Sequence, residues 1–241
     1  FQGYRRANGK VGSRNHVAII PSVVCANDVA IAIANQVNNT RALLHHQGCC
    51  QMPPDLERVT EALIGLGCNP TVGAALIVSL GCEGTDVERL EQGIRDNGTP
   101  VEVIRIQELG GTSKAIAAGI EKAQKLALAI SGAKREPVDI SEAIVSIKCG
   151  ASDATSGLAS NCVIGYVADR LVDLGATVIF GETTEFIGAE HILAGRAATP
   201  EVGKKIYQIV ENMENRAKAI GCDMRKGQPT PGNIAGGLSS I

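Results

Sequence analysis

Short apolar runs alternate with stretches whose apolar positions recur every three or four residues, and this alternation fills most of the chain. The run "HVAIIPSVVC" predicts a strand ending near Pro21, and "NDVAIAIANQV" predicts a helix capped by Asn27 or Asp28. "RALLHHQGCC" reads as a second strand and turn, and "DLERVTEALIGLG" as an amphipathic helix closed by Gly67. "GAALIVSLGCEG" and "DVERLEQGIRDNG" give a third strand and helix, "VEVIRIQELGG" and "TSKAIAAGIEKAQKLALAI" a fourth. Such alternation predicts an α/β fold with doubly wound, mainly parallel sheets and helices on both faces.

The polar stretch "SGAKREPVD", residues 131–139, contains Pro137 and reads as a linker. It divides the chain into a first α/β domain, 1–133, and a second, 134–241. In the second, "SEAIVSIKCG" restarts a strand, "NCVIGYVADRLVDLG" makes a helix, "ATVIFGETTE" a strand and "PEVGKKIYQIVENMENRAKAIG" a long helix. "QPTPGNIAGGL" then reads as a Pro/Gly loop. Cys25 with Asp28, and Cys149 with Asp153, each fall between a strand and a helix. The domains are therefore expected to be two similar Rossmann-like halves.

Composition narrows the classes. A chain of 241 residues with a net charge of −2 and interspersed signs has no electrostatic footprint for nucleic acid or an anionic membrane. No apolar run reaches the roughly 18–20 residues that span a bilayer. The opening "FQGYRRANGK" has no signal-peptide layout. A cytoplasmic protein is expected, with its eight cysteines reduced, because a chain this rich in Ala, Ile, Val and Gly builds a core without disulfides. Both ends read as cut, so a fragment of a longer protein is expected.

In open parallel sheets, ligands bind at the carboxyl ends of the strands. Those loops carry Cys25 with Asn27, His45 and His46 with Cys49 and Cys50, Cys82 with Glu83, Cys149 with Ser152 and Asp153, and Glu182 with Glu185. His45 four residues before Cys49 suits either a shared metal or a thiolate–imidazolium pair. There is no G-x-G-x-x-G and no phosphate-binding P-loop pattern, so dinucleotides and nucleoside triphosphates are poor ligands. A small substrate bearing a carboxylate fits better, and Arg14 is a candidate to pair with it.

"GYRRANGKVGSRN", "HHQGCCQ", "LGCEG", "KCGASDATSG", "TTEFIGAE" and "PTPGNIAGG" together resemble the altronate and galactarate dehydratase family, which includes the large subunit of sulfolactate sulfo-lyase. The resemblance covers nearly the whole chain, without the SAF-type and C-terminal domains of full-length members. It implies a lyase: a metal-dependent dehydratase that takes water from a sugar acid of the altronate or galactarate type and leaves a 2-keto-3-deoxy acid. The alternatives are a sulfolactate sulfo-lyase large subunit, or a non-catalytic fragment that needs partner domains. A thiol-dependent redox protein is a further reading.

The resemblance also distributes roles. Cys25, His45, Cys49, Cys82, Glu83 and Cys149 become candidates for metal contact. Thiolates with imidazole suit iron or zinc better than magnesium, and the family favours ferrous iron, with another divalent metal or an iron–sulfur cluster as alternatives. His45, Glu182 and Glu185 become the candidate acid and base groups. Arg14, Asn15, Asn27, Ser152, Asp153 and Asn161 would orient the carboxylate and hydroxyls. Expected partners are a sugar acid or sulfolactate, a SAF-type small subunit or domain, and further copies of the chain. The chain departs from the family pattern at Gly150-Ala151, where a methyl narrows the room for close backbone approach, and at Ser160-Asn161-Cys162.

Overall fold

The computed structural model describes residues 1–150, 152–227 and 229–238. Position 151, with its extra methyl, lies outside the described residues. The chain divides into two units, Phe1–Asp139 and Ile140–Ile241.

The first unit runs β1 (Gln2–Arg5), β2 (Val11–Gly12), β3 (His16–Pro21), α1 (Asn27–Gln36), β4 (Thr40–Ala42), α2 (Pro53–Gly67), β5 (Val72–Ser79), α3 (Val87–Asp96), β6 (Val101–Arg105), α4 (Thr112–Ile130) and β7 (Glu136–Pro137). Its central sheet is parallel, in the order β4-β3-β5-β6. Successive side chains of a strand point to opposite faces, and a parallel sheet needs both faces covered. On one face Ile19, Leu76 and Val78 pack with Ile33 of α1 and Ala123 and Leu126 of α4. On the other, Ile20, Ala75 and Ile77 meet Leu63 of α2 and Leu90 and Ile94 of α3. Every residue of β5 is buried as a result.

The stretch read as a linker is partly structural. Glu136 and Pro137 pair with Gly3 and Gln2, closing a small antiparallel sheet in the order β2-β1-β7. Arg5 Nε donates to Glu136 at 2.6 Å across the same pair. These ties keep Glu136 and Pro137 with the first unit, which runs to Asp139.

The second unit contains β8 (Ile144–Ile147), α5 (Asn161–Asp173), β9 (Thr177–Phe180), α6 (Glu190–Gly195), α7 (Pro200–Ala219) and α8 (Pro231–Ala235). β8 and β9 form a parallel pair with Val145 opposite Val178. Among the described residues this unit has two strands where the first has a four-stranded parallel sheet, so the expected similarity of the halves does not extend to their sheets. Within the Pro/Gly stretch expected as a loop, Pro231–Ala235 forms α8, whose first turn is capped by the Thr230 side chain accepting from Asn233 N. No described helix is long and apolar enough to cross a membrane.

Leu76 is completely buried between strand and helices. Leu76→Ala is expected to lower stability by about 2–5 kcal/mol, measured as a reduced urea midpoint by far-ultraviolet circular dichroism.

Candidate functional site

At the carboxyl edge of the first unit, three loops are stitched together by polar contacts. Glu83, after β5, accepts from Ser22 Oγ at 2.5 Å and from the backbone N–H groups of Leu80 and Gly81 at 3.2 and 2.6 Å. Ser22 follows β3, so this carboxylate joins the ends of neighbouring strands. Burial opposes the Glu83 anion, but the hydrogen bonds from Ser22 and the backbone outweigh it and hold the carboxyl below the usual range. Thr85 Oγ1 donates to Ser22 O at 2.7 Å. Gly48 reaches into the same corner: its φ is +101°, and a Cβ there would stand 2.5 Å from Ser22 O.

His45 lies within this stitching. Its Nδ1 receives the Gln47 backbone N–H at 3.1 Å, so that nitrogen is an acceptor. Nε2, 2.7 Å from Pro21 O, must then carry the proton and donate. Both ring nitrogens are engaged with backbone. Asn27 likewise holds the loop, donating from Nδ2 to His45 O at 2.8 Å.

Cys25, Cys49, Cys50 and Cys82 are exposed at this edge. The Cys49 and Cys50 sulfurs are 3.6 Å apart. The Cys50 hydrogen bond and its charge, with smaller effects from burial and from Cys25 and Cys82, push the Cys49 thiol above its usual range. An activated thiol needs the opposite shift, so this arrangement lends no support to a thiol-redox reading. Among the described residues, no three His, Cys, Asp or Glu side chains converge closely enough to hold a metal ion. With His45 and Glu83 already engaged, the donor groups as placed do not fit the expected ferrous ion.

Arg14 and Asn15 are at the other end of β3. Arg14 is exposed and donates to Ser13 O at 3.0 Å. Asn15 donates to Ile130 O at 2.8 Å and accepts from Arg6 Nη1 at 2.7 Å. They lie before β3, as the sequence order implies, and are not brought together with Cys25, Asn27 or Cys82.

In the second unit, the loops after β8 and β9 meet. Glu182 accepts from Lys148 Nζ at 2.5 Å and from the Cys149 backbone N–H at 3.0 Å. The Lys148 hydrogen bond, and after it the Cys149 N–H, hold the Glu182 carboxyl below its usual range. A general acid must retain its proton near the working pH. Glu182 is thus held as an anion with both carboxylate oxygens engaged. Asp153 is also engaged: its carboxylate accepts from Thr155 N, Thr155 Oγ1 and Ser156 N at 2.8, 2.5 and 3.1 Å, forming the turn before α5. Cys149 Sγ stands 3.8 Å from Ser152 Oγ. Asn161 is the exposed first residue of α5.

Ser152 and Glu185 do come together. With Thr184, Ile187, Met224, Thr230 and Asn233 they line a cleft of about 520 Å³ within this unit. The size suits a small-molecule ligand.

Two family models divide the chain between them. The second-domain model of D-galactarate dehydratase/altronate hydrolase matches residues 3–131, and the C-terminal model of D-galactarate/altronate dehydratase matches residues 140–241, which corrects the expectation that the family's C-terminal domain is not represented in the chain. The chain belongs to this galactarate and altronate dehydratase family. It is 41% identical to the (2R)-sulfolactate sulfo-lyase subunit beta of Chromohalobacter salexigens, over all of this chain and 61% of that protein. It is 31% identical to the altronate dehydratase of Bacillus subtilis and 33% identical to the galactarate dehydratase (L-threo-forming) of Escherichia coli, over all of this chain and 50% of each. The chain thus spans between half and three-fifths of the length of these curated relatives.

In this member of the dehydratase family, the cleft also uses Thr184, Thr230 and Asn233, and the loop anchor uses Lys148, none of which sequence reasoning singled out. Each lies within or next to a motif quoted for the family. Motif membership was the available signal, and side-chain type alone gave none.

Glu83 binds fewer protons folded than unfolded, so its stabilisation is complete above the unfolded glutamate pKa of about 4.3 and is lost as pH falls through the lower folded value. Glu83→Gln is expected to cost about 1 kcal/mol at pH 7. Thermal melts should show the gap from the unmodified protein closing below pH 4, at about the ordinary carboxylate range.

Proposed function

We propose that this chain is the substrate-handling core of a lyase that eliminates a β-substituent from a small 2-hydroxy acid. The observation carrying this reading is the cleft of the second unit, which is lined by the hydroxyl residues Ser152, Thr184 and Thr230 together with Asn233 and Glu185. Such groups match a polyhydroxylated acid, since hydroxyls and amides can each donate to and accept from substrate hydroxyls.

In this reading Glu185 takes the proton from the carbon next to the substrate carboxylate. The C–H electron pair becomes the new C=C bond, and the β-hydroxyl departs as water after gaining a proton. The resulting enol ketonises to a 2-keto-3-deoxy acid. Ser152 and Thr230 fix the hydroxyls so that the breaking C–H and C–O bonds stay aligned, a contribution of positioning rather than of charge. The substrate of the first reading is a sugar acid of the altronate or galactarate type.

A second reading replaces water by sulfite as the leaving group, with sulfolactate as substrate. The 41% identity to a sulfo-lyase subunit favours it, against 31–33% for the dehydratases. In both readings a SAF-type small subunit or domain and further copies of the chain complete the enzyme.

The test supplies galactarate, altronate and sulfolactate separately to the full-length protein with its partner, following keto-acid formation and sulfite release. Turnover of one of them is expected, and Glu185→Gln should lower kcat by about 10²- to 10⁴-fold with a smaller change in KM. No turnover of any of the three, or an unchanged kcat in the variant, contradicts the reading.

A further inference from the structure

The loop after β8 and the loop after β9 form two walls of the cleft: Ser152 belongs to the first, Thr184 and Glu185 to the second. One side chain joins them. Glu182 Oε2 receives the Cys149 N–H at 3.0 Å, and Oε1 receives Lys148 Nζ at 2.5 Å. Lys148 Nζ also donates to Cys149 O at 2.9 Å, which closes a ring around the end of β8.

The backbone at Glu182 is unusual. Its φ and ψ are 61° and 63°, in the left-handed region that glycine occupies without penalty and a glutamate does not. Strain at a non-glycine residue persists where the surroundings over-determine it. Here the surroundings are the two hydrogen bonds of the carboxylate. The Lys148 side chain is 71% exposed, so the ion pair itself contributes little to stability. What the carboxylate contributes is geometry. The first unit repeats the device, because Glu83 after β5 receives Ser22 Oγ from the end of β3.

We propose that Glu182 is a positioning residue that staples the Cys149–Ser152 loop to the Thr183–Phe186 turn, setting the separation of Ser152 from Thr184 and Glu185 across the cleft. It touches no reacting atom and acts through those three side chains. The proposal rests on the reading of this cleft as the substrate site, and its consequence for the loop can be measured without substrate.

Two variants of the full-length enzyme separate the possibilities. Glu182→Gly removes the staple while making the backbone conformation easier, so the protein should fold. Glu182→Gln keeps an amide oxygen to accept the Cys149 N–H. In Glu182→Gly, hydrogen exchange at the Cys149 amide should accelerate at least tenfold, KM should rise several-fold, and kcat should fall about 10²-fold, the scale expected when reacting groups shift by about 1 Å. Glu182→Gln should recover most of the amide protection and at least a tenth of the wild-type kcat. Unchanged Cys149 exchange in Glu182→Gly overturns the staple. Loss of turnover in Glu182→Gln as complete as in Glu182→Gly, with the amide still protected, overturns the positioning role and makes Glu182 a proton-transfer group. If the enzyme converts none of the supplied acids, the cleft reading fails while the exchange measurement still decides the staple.

Discussion

A carboxylate that fastens the end of one parallel strand to the end of its neighbour is the interaction on which the candidate sites of both units depend. Parallel strands leave their carboxyl ends as unpaired backbone, and the following loops diverge toward different helices. Something has to hold those loops in register if their side chains are to face one ligand. Glu83 does this between β3 and β5 through Ser22 Oγ and the Leu80 and Gly81 N–H groups. Glu182 does it between β8 and β9 through Lys148 and the Cys149 N–H. In each case the acceptors are filled before any ligand arrives, and both carboxyls are correspondingly held below the usual range.

The same logic divides the polar residues around the two sites into two groups. His45, Asn27, Glu83, Asp153 and Glu182 bond to backbone or to neighbouring loop side chains and shape the loops. Ser152, Thr184, Glu185, Thr230 and Asn233 face the cleft. A residue that builds a loop and a residue that reads a ligand need similar chemistry, a polar atom near a turn, so they occur side by side in the motifs. Glu182 and Glu185 stand three residues apart and fall in different groups.

That is why the sequence conveyed the fold of the first unit better than its chemistry. Hydrophobic periodicity is a property of single segments, and it located β3, β5, α2 and α4 because their apolar residues must enter a core. The strand-end position of the cysteines and glutamates was equally readable, since it follows from the same alternation. Whether either nitrogen of His45 is free, or whether Glu182 keeps a proton, depends on partners such as Pro21 O and Lys148 Nζ that no local pattern encodes. The pairing of Glu136 with Gly3 escaped for a similar reason: a polar stretch with a proline looks like a linker until its distant strand partner is known.

The central claim is that Glu83 and Glu182 are anionic fasteners of their strand-end loops. Carbon-13 NMR titration of the glutamate carboxyl groups, assigned with Glu83→Gln and Glu182→Gln, tests it most directly. Both resonances are predicted to titrate below the ordinary glutamate value of about 4.3. A midpoint at or above that value for either residue would contradict the account.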